Sequence, residues 1–83
     1  MSGEHFLGGW CMLWLRMWVR HWVDDRGLRT RAATIYWSWF PWGGRQSTFY
    51  WQAYDSSGQM IDQGAVFKLS RAKAKVDECL RSL

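Results

Sequence analysis

Trp14, Arg16, Trp18, Arg20 and Trp22 alternate indole and guanidinium along one short stretch, WCMLWLRMWVRHWV, whose first residue is a further indole, Trp10. A guanidinium stacked on an indole makes a cation–π contact, worth about 0.5–1 kcal/mol when exposed and more when dry. That is recognition chemistry rather than bond-making chemistry. Trp, Tyr and Arg are also the residues that dominate the centres of macromolecular interfaces. The spacing therefore predicts a binding surface of Trp14, Arg16, Trp18, Arg20 and Trp22, with Tyr36 across the ladder. A second basic group, Arg26, Arg29 and Arg31, is a candidate contact for an anion or a nucleic-acid phosphate.

Groups able to make or break bonds are sparse. His21 stands near Asp24 and Asp25, but no Ser or Cys nucleophile lies at a useful spacing. There is no HExxH, P-loop or GxGxxG pattern. Asp62 and Glu78 are isolated acids with nothing to pair them for general acid–base work. Cys11 and Cys79 lie far apart without CxxC spacing, and with His5 and His21 they make a poor zinc set. Both thiols suit a reduced, cytosolic protein. The glycine pair of WGGR, from Trp42, can present N–H groups to an anion, but after a proline it reads as a plain turn. The sequence predicts no enzyme activity, no cofactor and no metal site.

The composition sets bounds. A chain of 83 residues makes a single small domain, 1–83, and buries a small core. With 48% apolar and 18% aromatic residues it is no disordered tail. Eight Trp, four Phe and three Tyr are more than so small a core is expected to hide, since each Trp or Tyr can bury roughly 150–250 Å². The surplus predicts a protein partner, including a second copy of the chain as a homo-oligomer. A net charge of +4 permits attraction to nucleic acid or to an acidic protein. The apolar run after His5 stops at Arg16, short of the ~20 residues that span a bilayer. The leading MSGEH lacks the positive charge of a signal peptide, and no small-x-small cleavage site follows. A soluble, cytoplasmic protein with no membrane contact is expected.

These side chains need elements to hold them. DDRG at 24–27 and DSSG at 55–58 share one turn chemistry: Asp caps the turn, and Gly supplies the positive φ of a bulge. The flanking runs, rich in Trp, Tyr, Phe, Val, Ile and Thr, fit strands. The stretch 10–23 reads as strand or helix. Strand is favoured because Asp24 and Asp25 would oppose a helix dipole, and because a partner of matching length follows. Pairing Asp24 with Leu28 then sets a register. It puts Leu13, Leu15, Met17 and Val19 opposite Trp39, Trp37, Ile35 and Ala33 on a core face, and Trp10, Met12 and the Trp/Arg series on the outer face. In the second hairpin, Phe49, Trp51, Ala53, Ile61, Ala65 and Phe67 form one side. Tyr50, Gln52, Tyr54, Met60 and Asp62 form the other. In SRAKAKVDECLRSL, Ser70 is a plausible N-cap, and Ala72, Val76, Cys79, Leu80 and Leu83 share one helical face. Lys73–Asp77 and Asp77–Arg81 are outward pairs at helical spacing. The expected fold is α+β: a four-stranded antiparallel meander with one C-terminal helix on its inner face. The alternative is helix, three antiparallel strands, helix.

The tail SRAKAK, after two strands and a Gly-containing turn, resembles the end of double-stranded-RNA-binding domains. Ser70, Ala74 and Lys75 match that pattern, whereas Ala72 replaces a basic residue and the opening segment lacks the family's first-helix pattern. The resemblance covers less than half of the chain. A four-strand meander followed by a helix is also similar to the unit of Whirly-type single-stranded DNA binders, an analogy of fold alone. In size and lack of motif the chain resembles small accessory proteins of phages and other mobile elements, such as anti-CRISPR inhibitors and integron cassette products. The first two resemblances imply nucleic-acid binding, and the third implies binding and blocking a partner. The expectation is a small non-enzymatic binding protein acting on a protein through its aromatic, Arg-rich sheet face. The alternative is a nucleic-acid-binding module stacking bases on that face.

Overall fold

The computed structural model describes residues 5–14, 16–38 and 48–83, the side chain of Trp14 excepted. Strands β1 (Phe6–Leu7), β2 (Cys11–Trp14), β3 (Met17–Val23), β4 (Arg29–Ser38), β5 (Thr48–Tyr54) and β6 (Met60–Val66) precede one helix, α1 (Leu69–Arg81). All strand pairs are antiparallel, in the order β1-β3-β4-β5-β6, and β2 also pairs with β3. The α+β class and the C-terminal helix are as the sequence predicts. The strand count is not, and the alternative that opens on a helix is overturned.

The difference lies at the start. The run 10–23 is strand, but it doubles back: Trp14 pairs with Met17 and Cys11 with Val19. The chain turns between them without the Gly, Asn or Asp that marks a tight hairpin, so the sequence carries no signal for it. Leu7 pairs with Trp22 further along the same edge of β3. Trp10 and Trp14 therefore do not share a strand with Trp18 and Trp22.

The two Asp-Gly turns form as expected. Asp24 donates its N–H to Leu28 and Asp55 donates to Gln59, at 3.1 and 2.9 Å. Gly27 and Gly58 take positive φ values of 83° and 90°, which cost a Cβ-less residue little. Each hairpin then carries a bulge. His21 pairs with Arg31 but Arg20 pairs with Ala33, leaving Ala32 as the extra residue. Tyr54 pairs with Met60 but Ala53 pairs with Asp62, leaving Ile61 extra. An extra residue reverses which partners share a face. Beyond the first bulge, Ala33 and Ile35 join Arg20 and Trp18 rather than Val19 and Met17. Beyond the second, Asp62, Gly64 and Val66 join Ala53, Trp51 and Phe49. The sequence-based register is thus right next to each turn and displaced by one residue further along.

The helix covers the face bearing Ile35, Trp51 and Ala53, burying Ala72, Val76 and Leu80 against them. Its N-cap is Lys68, with no side-chain cap, so Ser70 lies inside the first turn. Cys79 is half-buried and Leu83, past the helix end, is exposed. Four fully buried alanines, Ala32, Ala33, Ala53 and Ala72, leave the volume that larger side chains fill. Trp51 takes much of it and lies over Gly64, where an added Cβ would stand 2.8 Å from the indole. Among the described residues, no helix is long and apolar enough to cross a membrane. Leu15, Trp39, Phe40 and the Pro41, Trp42 and Gly43 turn lie outside the described residues, as do the readings made of them.

Candidate binding surface

The Ala32 bulge, opposite the Arg20–His21 step, decides which face of β4 the Trp/Arg series joins. Trp18, Arg20 and Trp22 face the helix, not away from it. Trp18 packs on the core, 6.0 Å from the Phe49 ring at a tilt of 54°. Trp22 donates its Nε1–H to the Tyr54 carbonyl at 3.0 Å. Arg20 donates from Nη1 to Asp77 Oδ1 on α1 at 2.6 Å and from Nε to the Gly8 carbonyl at 2.8 Å. Its guanidinium also lies 5.3 Å from the centroid of Trp10, and Lys73 Nζ lies 5.8 Å from that same ring. The cation–π chemistry expected of this series is therefore present, and it is used to bind the helix to the sheet. Asp77 takes Arg20 as its ion partner, in place of the Lys73 and Arg81 pairings expected along the helix. The expectation that the first hairpin shows its Trp/Arg side outward is corrected for these three residues.

The face opposite the helix carries no helix and is open in part: Tyr36, Tyr50, Gln63, Arg29 and Arg31 are exposed, Met17, His21, Val23, Thr34 and Gln52 are half-buried, and Val19 is fully buried. Its register rows are Met17, Tyr36, Tyr50 and Ala65; then Val19, Thr34, Gln52 and Gln63; then His21 and Arg31; then Val23 and Arg29. Tyr36 and Tyr50 are direct cross-strand partners, 45% and 46% exposed. Such partners have Cβ atoms roughly 5 Å apart, so the two side chains leave the sheet next to each other. Tyr54 donates its hydroxyl to Gln52 Oε1 at 2.7 Å, and Arg31 donates to Thr34 Oγ1 at 2.9 Å. Arg29 and Arg31 are exposed. Burial lowers the His21 pKa, and the charges of Arg31 and Arg29 lower it further.

Among the described residues, these rows hold no carboxylate. Asp62 faces the helix side, where Cys79 Sγ approaches it at 3.6 Å. Asp24 turns its Oδ1 onto the N–H groups of Arg26 and Leu28, and Asp55 turns its own onto Ser57 and Gln59.

Of the residues singled out from sequence, Tyr36, Arg29 and Arg31 lie on this open face. Arg26 is exposed in the turn beyond it. Arg16 is exposed, with its guanidinium 5.6 Å from the centroid of Trp37. Trp14 pairs with Met17 through its backbone. The structure does not bring Trp18, Arg20 and Trp22 to Tyr36, because they occupy opposite faces. Tyr50 and Gln52 were not singled out. The alternation in TFYWQAY places both beside Tyr36, once β5 is known to pair with β4.

Burial, followed by the Asp62 carboxylate, raises the Cys79 pKa, which opposes the thiolate form that a nucleophile needs. Among the described residues, no three His, Cys, Asp or Glu side chains gather as metal ligands. Compared with known proteins, the chain matches no family model, no curated protein and no solved structure.

Proposed function

We propose that this is a non-enzymatic binding protein whose working surface is the open face of the sheet. The observation that carries the reading is the Tyr36–Tyr50 pair, two large aromatic side chains left nearly half exposed side by side on a face without helix cover. Tyr supplies rigid contact area with a polar tip at low entropic cost. A protein partner is one occupant of such a surface. Blocking a partner, as small accessory proteins of mobile elements do, needs no chemistry beyond it. We take the cytoplasm as the compartment, in keeping with the free thiols Cys11 and Cys79.

The charge of the face narrows the partner. A second copy laid face to face would bring Arg29 and Arg31 toward the same cations, with no described carboxylate on the face to meet them. Like charges set against each other across an interface oppose association. Self-association is thus better served by another part of the surface. A protein on this face must bring acids, and nucleic acid is the second reading that the same charge favours.

Sedimentation of the protein with an acidic polypeptide, polyglutamate, and with a short single strand tests the surface. A mass above that of the protein alone is expected with at least one of them. Tyr36→Glu/Tyr50→Glu should abolish the gain while leaving the far-UV circular dichroism unchanged. No gain with either, or a gain that the variant keeps, overturns the reading.

A further inference from the structure

We propose that the open face binds single-stranded nucleic acid, with bases stacked on Tyr36 and Tyr50 and phosphates held by Arg29 and Arg31. This rests on the reading of the open face as the working surface, and adds the class of its partner.

Three observations converge on it. First, two exposed aromatic side chains leave neighbouring strands on the same face. Tyr36 and Tyr50 are side by side and exposed to the same degree, 45% and 46%. Stacking on such rings tolerates any base, because every base has a π-face. Second, the charge is one-sided. The rows that carry the tyrosines continue into His21, Arg31 and Arg29, and no described acid shares the face. Asp24 and Asp55, just past the ends of β3 and β5, are turned onto backbone N–H groups of their own turns. Asp25 is exposed at the hairpin tip, beyond Arg29. His21 is the register partner of Arg31, and burial followed by the charges of Arg31 and Arg29 disfavours a proton on it. Third, the ground between rings and arginines is uncharged, with Val19 buried at its β3 end. Thr34, Gln52 and Gln63 lie in one row there. Amide and hydroxyl groups can meet base edges without repelling phosphate.

The length of the site follows from the strand. Arg31 and Tyr36 both lie on β4, and at about 3.3 Å per residue they are roughly 15 Å apart. That suits a short stretch, about four nucleotides, at the low end of single-strand sites on small sheet domains. Two phosphates neutralised on a single strand give a log–log salt slope of about −1.4.

The test measures anisotropy of a labelled oligothymidylate, an abasic oligomer of equal length and a labelled polyglutamate at low salt. The expected result is that oligothymidylate binds at least about tenfold tighter than the abasic strand, as loss of base stacking implies. Tyr36→Ala/Tyr50→Ala should remove that preference without changing the salt slope. Arg29→Gln/Arg31→Gln should weaken both strands and flatten the slope. Equal binding of all three probes, sensitive to the arginines and indifferent to the tyrosines, would overturn the nucleic-acid assignment. It would leave the open face as a dock for an acidic protein. No binding of any probe overturns the nucleic-acid assignment and the surface together. Oligothymidylate binding that all four substitutions leave intact overturns the assignment and the surface together.

Discussion

Arg20 of β3 and Asp77 of α1 meet at 2.6 Å across 57 residues of sequence, and the Trp10 ring lies against the same guanidinium. This contact converts what looks like an exposed recognition stripe into a joint between sheet and helix. The two side chains are 14% and 35% exposed. Arg20→Ala removes the ion pair, the bond to the Gly8 carbonyl and the stacking on Trp10, and should cost about 2–3 kcal/mol. Asp77→Ala should cost less, about 1 kcal/mol, because water screens its more open end. Urea midpoints at constant m-value measure both, and a double-mutant cycle gives the coupling.

Gly64 is a second structural commitment. An added Cβ would lie 2.8 Å from three indole atoms of Trp51, itself 6% exposed. A planar ring cannot yield by changing one terminal torsion, so Gly64→Ala must shift the indole or the strand. The expected cost is about 1–3 kcal/mol, read from urea unfolding together with a change in tryptophan emission. Trp51→Ala should cost more, about 3–5 kcal/mol.

Asp55 sets part of the acid limit of stability. The Ser57 hydroxyl, then the N–H groups of the turn, donate to its carboxylate and hold its pKa below the usual value. A pKa depressed in the folded state contributes stability above the unfolded value, and that contribution is lost as pH falls through the folded one. Asp55→Asn should therefore be less stable than the parent near neutrality and lose less on acidification. The two stability curves should converge in the acid range, as urea titrations at stepped pH will show.

His21 behaves in the same sense for a different reason. Burial and the cations Arg31 and Arg29 favour its neutral form, so its folded pKa lies below 6.5. The unfolded chain binds the proton more readily, and stability falls as pH drops from the unfolded pKa toward the folded one. Arg31→Gln should raise the His21 pKa, and so should a polyanion bound to the face. NMR titration of the imidazole protons measures both.

Some of this was legible in the sequence and some was not. The Asp-Gly turns, the helix and the class of fold follow from local chemistry at Asp24, Gly27, Asp55, Gly58, Ala72 and Val76. The inward side of β5, with Phe49, Trp51 and Ala53, follows from simple alternation. The face of β3 does not. Met17, Val19 and Val23 are more apolar than Trp18, Arg20 and Trp22 as a set, so a two-residue period puts the first group inside. The Ala32 bulge turns Trp18, Arg20 and Trp22 to the helix while Val19 stays buried on the other face, and an alanine among β residues announces no bulge. Asp62, placed with Tyr54 by alternation, is moved by the bulge at Ile61 in the same way. The hairpin between Trp14 and Met17 likewise has no turn residue to mark it. Surplus indole in the sequence predicts unsatisfied surface, whereas Trp10, Trp18 and Trp22 pack on a core kept small by alanines.

The most direct measurement is an NMR titration of the protein with oligothymidylate, following the tyrosine rings and the indole N–H groups together. The account predicts shifts at Tyr36, Tyr50, Gln52 and Arg31, with the Trp22 indole N–H, bonded to the Tyr54 carbonyl, left in place. Shifts centred on Trp10, Trp18 and Trp22 instead, or none at low salt, would contradict it.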